Sequence, residues 1–378
     1  MNFVRPLLAL VFLAIATYVG HRLCRALVPG LDGARLPVER QVVAPWVISI
    51  PAAFLSGTLL MTWVAYIIAW FAKDTAAPMA TANAVVISVA LVALGVIRIR
   101  RQSNGRSRAA PKGNDLDTET TETAEETPSR IERRDDGTAK RPRRPWVDIG
   151  VAATGLVLGT VLMFHTARLD GDTLILGRTA FGDLNIHLGM ARSFSAGNNF
   201  PTGYVAYAGT DVRYHFMFYF LVGNLEYLGL PIDWALNLPS ILSFASVLLL
   251  LHAAGSVIGR DARVGALAVL FFLLRSSPAA FFYFAQLEPA GFVGRIAEVL
   301  RTNRFIGLTG HEEWGIWNLN VYVVERHFAF AFGLVLIGIL YLVRTTGLDA
   351  GPPLLRRLRG EARTPASSPD RTPGETAS

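Results

Sequence analysis

A short polar segment carries the side chains best suited to chemistry. Asp183 and His187 are four residues apart, so a helix over this segment would bring both to one face. A carboxylate can act as a general base, and an imidazole one turn away can orient it or contact an anionic group. We predict that the pair forms the core of a site. The alternative is that Asp183 caps an interfacial helix and His187 lies on its polar face.

Composition identifies the chain as a membrane protein. Of its 378 residues, 52% are hydrophobic and 17% are charged, and the mean hydropathy is +0.37. Several apolar runs reach the roughly 20 residues that a helix needs to cross about 30 Å of hydrocarbon. Long unbroken runs favour helices over the short alternating strands of a membrane barrel. The predicted fold class is therefore all-α, a polytopic integral membrane protein, expected as a multi-pass protein of the plasma membrane.

The apolar runs predict about eight transmembrane helices in two groups. The predicted spans cover residues 3–19, 45–71, 83–97, 146–166, 214–230, 235–258, 264–285 and 327–343. The corresponding regions are a three-helix membrane region (1–98), a disordered charged linker (99–145), a second membrane region (146–344) with outer loops 167–213 and 286–326, and a disordered tail (345–378).

Basic residues predict the orientation of the chain. Arginines at both ends of the linker put it in the cytoplasm, so Asp183 and His187 are expected on the outer face. If spans five to eight all cross, the arginine-rich tail ends outside, against the same rule. Either one of them is re-entrant or interfacial, with 214–230 the first candidate, or the tail is an exception.

Charge and cysteine content exclude several classes of protein. The formal net charge is +7, but the arginines gather beside apolar runs, so we expect no nucleic-acid partner. Cys24 is the only cysteine, which excludes an intrachain disulfide and a metal-thiolate site.

The Asp170-Gly171-Asp172 segment is typical of a turn, with a divalent-ion site as the alternative.

The second membrane region resembles the GT-C superfamily of polytopic membrane glycosyltransferases, which includes protein-mannosyltransferase-like and aminoarabinose-transferase-like enzymes. The resemblance rests on the acid and histidine of the first outer loop and on four later segments in the same order. These segments are Tyr214 to Phe220, Asn237-Leu238-Pro239-Ser240, Gly259 to Arg263, and Ser276-Ser277-Pro278.

The resemblance implies an inverting enzyme that moves a sugar from a polyprenyl-phosphate carrier to a cell-envelope acceptor on the outer face. Asp183 would be the base, His187 would assist it, and neither a cofactor nor a metal would be required. The family has more spans than the matched region, so a truncated chain or a partner subunit supplying further spans is expected. The alternative is a non-catalytic polytopic membrane protein, either transporter-like or an assembly subunit.

Further residues are candidates for binding this substrate. Arg192 and Arg326 could contact the carrier phosphate, although arginines near a membrane surface also meet lipid headgroups. Trp314 could stack on a sugar ring or belong to an interfacial aromatic belt. The remaining candidates are Asn199, Tyr214 and His215.

Overall fold

The fold is an all-helical bundle with one small hairpin in the part of the chain that the structure, a computed structural model, describes. The described residues are 4–28, 42–109, 145–177, 181–207, 209–275, 278–287, 291–302, 306–307 and 321–345. Most of the predicted linker, nearly all of the predicted tail and the candidate Trp314 lie outside these ranges.

Six of the described helices are long and apolar enough to span a membrane, fewer than the eight predicted. They are α1 (Val4–Leu27), α2 (Pro45–Phe71), α3 (Pro78–Ala109), α4 (Pro145–Thr166), α7 (Ile232–Gly259) and α12 (Arg326–Thr345). The shorter elements are β1 (Ala167–Asp170), β2 (Thr173–Leu176), α5 (Phe181–Ser195), α6 (Met217–Tyr227), α8 (Ala262–Leu273), α9 (Ala279–Gln286), α10 (Gly291–Arg301) and α11 (Tyr322–Val324). The all-α prediction is confirmed, and α3 extends into the stretch predicted as linker.

Two predicted spans are too short to cross as single helices. The span predicted at 214–230 is α6, whose 11 residues extend about 16 Å against about 30 Å of hydrocarbon. Gly229, with φ of 109°, and Pro231 separate α6 from α7. The span predicted at 264–285 is divided into α8 and α9, and Pro278 stands immediately before α9.

The first two helices pack closely because small residues face each other. A Cβ added at Gly20 would lie 2.0 Å from the Ala53 carbonyl oxygen, and one at Gly57 would lie 1.9 Å from the Ala16 carbonyl oxygen. Such contacts between small residues are the usual way in which helices associate inside a membrane.

The centre of the bundle is α7, which is the most buried of the six long helices. It packs against α4, α8, α12 and α2. Its start is held by polar contacts to the hairpin, because Asp233 accepts a hydrogen bond from the Leu169 amide and Asn237 donates one to the Ala167 carbonyl. We call this end of the bundle, where the hairpin and the start of α7 lie, the site face, because the candidate residues Asp183 and His187 follow the hairpin.

The opposite end, which we call the linker face, is held by a buried carboxylate. Asp148, in the first turn of α4, accepts a hydrogen bond from the Ala44 amide at 2.9 Å with one oxygen. Its other oxygen lies 2.9 Å from Nε2 of His252, in the second half of α7. One side chain therefore joins the starts of α2 and α4 to α7.

The predicted outer loop 167–213 is partly regular structure. Strands β1 and β2 pair as an antiparallel hairpin, with Ala167 opposite Leu176. The helix α5 follows and packs tightly on α6, since a Cβ added at Gly223 would lie 2.4 Å from the Ala191 carbonyl oxygen. The hairpin and α5 thus anchor the candidate residues to the bundle.

Candidate active site

The predicted helix around Asp183 and His187 is present as α5, but its two polar residues differ in environment. Asp183 lies in the first turn and is exposed, where a carboxylate interacts favourably with the amino-terminal end of a helix. His187 is only 2% exposed. The acid is therefore available to a ligand, whereas the imidazole belongs to the protein interior.

Three histidines surround one carboxylate oxygen next to this helix. Oε2 of Glu325 lies 3.8 Å from Nε2 of His187, 3.9 Å from Nε2 of His215 and 3.4 Å from Nδ1 of His327. We call these four residues the histidine cluster. They come from α5, from the segment before α6 and from the junction of α11 with α12, so the site forms only when these elements pack together.

Aromatic rings hold the imidazoles in place. The ring of His187 stacks on Tyr219 with centroids 4.2 Å apart, and its Nε2 lies 3.3 Å from the Tyr214 hydroxyl. The Tyr219 hydroxyl lies 3.2 Å from Nδ1 of His327. Tyr214 also packs on the ring of His215, with centroids 3.7 Å apart. These contacts restrict the rotamers of all three histidines.

Burial and neighbouring charges change the titration of the cluster. Burial, with a smaller effect of His215, lowers the pKa of His187 to about 4, and burial also lowers the pKa of His215. Burial and the charge of Asp183 raise the pKa of Glu325. Burial and the charge of Glu325 raise the pKa of Tyr214 to about 12. At neutral pH both His187 and His215 are therefore uncharged. The charge of Asp183 makes ionisation of Glu325 less favourable.

Two buried polar atoms of the cluster make no hydrogen bond of good geometry among the described residues. They are Nδ1 of His187 and Oε2 of Glu325, although the backbone of Val324 interacts with the imidazole and the Tyr214 hydroxyl with the carboxylate. Leaving such atoms unpaired costs free energy, so each one requires an explanation. The ligand atoms of His187, His215 and Glu325 all lie within 4.8 Å of one another, close enough to share a metal ion. This arrangement therefore argues against the expectation that the site binds no metal.

An open cavity of about 380 Å³ extends from the cluster into the bundle, between α2, α6 and α12. We call it the apolar groove, and its walls include Leu59, Trp63, Phe218, Leu221, Phe330 and Leu334. Tyr214, His215 and His327 also line it. Because His327 opens α12 whereas Leu334 lies two turns further along, the polar end is at the site face and the apolar part points toward the membrane interior.

The structure brings Tyr214 and His215 to the site but places Arg192 and Asn199 elsewhere. Arg192 lies nine residues beyond Asp183 on α5, about 13 Å along the helix, and forms an ion pair of 2.9 Å with Glu226. Asn199 bonds to the Ser193 hydroxyl and to the backbone of Gly203. Both residues therefore have structural partners away from the groove.

The environment of Arg326 favours a structural role over the predicted phosphate contact. Its side chain is fully buried, and the guanidinium donates to the carbonyl of Val323 at 2.8 Å and to the hydroxyl of Thr166 at 2.7 Å. Further contacts reach the Met163 sulfur and carbonyl oxygen. Arg326 joins the start of α12 to the end of α4, and its donors are used within the protein.

Sequence reasoning missed Glu325 and His327 as site residues. Both belong to the Glu325-Arg326-His327 segment at the start of the last predicted span, in which only Arg326 is predicted to contact the substrate. The available signal was the concentration of three ionisable residues at the beginning of a membrane helix, a position where such side chains are often functional.

Comparison of the chain with protein-family models, with curated proteins and with solved structures gives no match. The arrangement of the site is therefore the basis for assigning a function.

Proposed function

We propose that this protein is a membrane glycosyltransferase of the GT-C type, which moves a sugar from a polyprenyl-phosphate carrier to a cell-envelope acceptor at the outer face of the membrane. The observation that supports this proposal is the exposed carboxylate of Asp183 beside a polar cluster at the end of an apolar groove. A lipid-linked sugar has the same two parts, a polar headgroup and a hydrocarbon chain.

The groove provides the contacts that an isoprenoid chain requires. Its walls are aliphatic and aromatic, and burying hydrocarbon against such walls contributes roughly 25 cal/mol for each Å² removed from water. The phosphate of the carrier would then lie at the polar end, near the Tyr214 hydroxyl and the His215 imidazole. His215 is about half exposed there, so its ring is accessible to a ligand.

Asp183 acts as the base in this mechanism. Inverting transfer requires removal of the acceptor proton as its oxygen attacks the anomeric carbon and the bond to the carrier phosphate breaks. Asp183 is exposed, so an acceptor can reach it, and it lies one helical turn before His187, whose Nε2 is 3.3 Å from the Tyr214 hydroxyl at the polar end of the groove. The abstracted proton passes to the carboxylate, and the carrier leaves as a phosphate.

The first test replaces Asp183 and measures sugar transfer. Asp183→Asn should lower the transfer of radiolabelled sugar from polyprenyl-phosphate donors to envelope material by about 10²–10⁴-fold, the usual contribution of a general base. Asp172→Asn, which changes an exposed acid in the turn of the hairpin, is the matched control and should retain the rate. Transfer at the full rate in Asp183→Asn would contradict the proposal.

A second pair of variants tests the groove. Ala331→Trp would fill part of the groove and should reduce the use of donors with long isoprenoid chains more than the use of short-chain donors. Gly338→Trp on the same helix is the control, because a Cβ there meets no atom within 4 Å. Equal loss for long and short donors would argue against a lipid site, and so would binding of the carrier unchanged in Ala331→Trp.

A further inference from the structure

We propose that His187, His215 and Glu325 bind a divalent metal ion of the zinc type, with an open coordination position at the polar end of the apolar groove. Binding of the ion stands on the geometry of these three side chains alone. The function we assign to the ion, which is to hold the carrier phosphate, rests on the proposed glycosyltransferase activity.

The distances from Glu325 to two of the three histidines fit shared ligation better than direct hydrogen bonding. Oε2 of Glu325 is 3.8 Å from His187 and 3.9 Å from His215, beyond hydrogen-bond length, whereas Nδ1 of His327 is nearer, at 3.4 Å, and also faces the Tyr219 hydroxyl. Two ligands that each lie about 2.1 Å from a tetrahedral ion are themselves about 3.4 Å apart. Small rotations of the side chains would bring the three ligand atoms, which already lie within 4.8 Å of one another, to that separation.

The unpaired oxygen of Glu325 supports the same assignment. Oε2 is buried and makes no hydrogen bond of good geometry among the described residues, although three imidazole nitrogens surround it and the Tyr214 hydroxyl interacts with the same carboxylate. A carboxylate oxygen that faces imidazoles without bonding to them is satisfied when a cation lies between them. Ligation by Nε2 of His187 and His215 would use the nitrogens that face this oxygen.

The ligand set suits zinc. Two imidazoles and one carboxylate are ligands that zinc commonly takes in proteins, and octahedral iron, which accepts the same set, is the alternative that the test below distinguishes. Three protein ligands leave the fourth position open, as in zinc sites that bind a substrate.

Neighbouring groups orient the proposed ligands. The ring of His187 stacks on Tyr219 and interacts with the backbone of Val324, and the ring of His215 packs on Tyr214. Groups around a metal site commonly fix the orientation of its ligands in this way. Because His215 lines the groove, an ion bound to it would present its open position to an anionic headgroup and supply the charge that the buried Arg326 does not.

The test measures metal binding by the full-length protein in detergent. After dialysis against a chelator and reloading, the protein should hold one zinc ion per chain, and cobalt(II) in its place should give the intense visible absorption of tetrahedral coordination. His215→Ala and Glu325→Gln should each weaken zinc binding by more than about 100-fold, beyond the usual effect of changing a residue that only contacts a ligand. His165→Ala removes an exposed histidine of α4 as the control and should leave binding unchanged.

The variant at His215 keeps this test independent of folding. His215 is half exposed, so His215→Ala should elute as a single species with unchanged thermal stability. Zinc binding that survives in both His215→Ala and Glu325→Gln, or that falls equally in His165→Ala, would overturn the site. So would the weak absorption of octahedral cobalt. Zinc bound in the predicted way by a protein without sugar transfer would sustain the metal site and contradict the proposed function, so the two failures are distinguishable.

Discussion

Asp148 is important for the stability of the fold because its carboxylate is buried. It is 1% exposed, and its partners are the Ala44 amide and the equally buried His252. The Ser256 hydroxyl, 3.5 Å from Nδ1 of His252, extends the same network. A buried carboxylate is tolerated only when such partners surround it, so removing one member leaves the others without compensation.

We expect Asp148→Ala to destabilise the protein by about 3–5 kcal/mol, the range for breaking a buried pair by removing one partner. The measurement is the thermal unfolding of the purified protein in detergent. Asp172→Ala, at an exposed turn, should change the midpoint little. Equal stability of the Asp148→Ala and Asp172→Ala variants would show that the network contributes nothing.

Sequence reasoning at the residue scale found the local part of the site and missed the part that depends on tertiary contacts. Asp183 and His187 lie within one helical turn, so their spacing alone brings them together. Glu325 joins them from a distant part of the chain, and no local pattern encodes that contact. Burial also separates residues that look equivalent in sequence, as the exposed Arg192 and the fully buried Arg326 illustrate.

At the scale of elements, glycines determine how closely α1 and α2 approach. Gly20 and Gly57 face the backbone of the neighbouring helix, and neither position has room for a side chain. The distance between these helices matters for the site, because α2 also supplies Leu59 and Trp63 to the apolar groove.

Gly57→Leu should separate α1 from α2 and destabilise the protein by at least about 1–3 kcal/mol, the usual cost of overpacking. Gly95→Leu is the matched control, because a Cβ at Gly95 meets no atom within 4 Å. Thermal unfolding and size-exclusion profiles of the two variants would test this. A Gly57→Leu protein as stable as Gly95→Leu would contradict the close packing.

Hydropathy predicted the long helices well and the short ones poorly. The spans predicted at 45–71 and 146–166 agree with α2 and α4 within a residue, because a single apolar run of that length has one stable form in a membrane. The errors at α6, α8 and α9 occur where Pro and Gly divide an apolar run, since hydropathy averages over such breaks. The turn predicted at Asp170-Gly171-Asp172 is present as the turn of the hairpin, but the strands on either side of it were not predicted.

At the scale of the whole molecule, contacts between helix ends define which elements share a face. The end of α4 meets the start of α12 through Thr166 and Arg326 at the site face. The start of α4 meets the second half of α7 through Asp148 and His252 at the linker face. Because α12 begins at the site face, it runs toward the linker face, and the last described residue, Thr345, lies at that end.

The direction of α12 bears on the predicted orientation, in which the arginine-rich tail would end outside if all of spans five to eight cross the membrane. The end of α12 at Thr345 and the start of α4 at Pro145 lie at the same face, so the arginine-rich sequences next to them would share one side of the membrane, in agreement with the preference of basic residues for the cytoplasm. Between α7 and α11 the chain must return to the site face. That return begins with α8, whose Phe272 packs on Tyr322. The span predicted at 264–285 is therefore replaced by the shorter helices α8 and α9.

Single cysteines would test this orientation in a Cys24→Ser background. In intact cells a membrane-impermeant maleimide should label Ala206→Cys, an exposed position of the site face, and leave Ser129→Cys in the linker and Ser367→Cys in the tail unlabelled. Permeabilised cells provide the control, since all three should then react. Labelling of Ser367→Cys in intact cells would contradict the direction assigned to α12.

The position of α12 also has a consequence for the order in which the protein becomes functional during synthesis. The ribosome completes α2 and α6 early, but Glu325 and the groove wall at Phe330 and Leu334 emerge only with the last described helix. Until that helix inserts, a nascent chain has no complete cavity for a lipid and no full set of ligands around a cation. Premature termination upstream of α12 would therefore yield a membrane-inserted polypeptide without a site, however well its earlier helices fold.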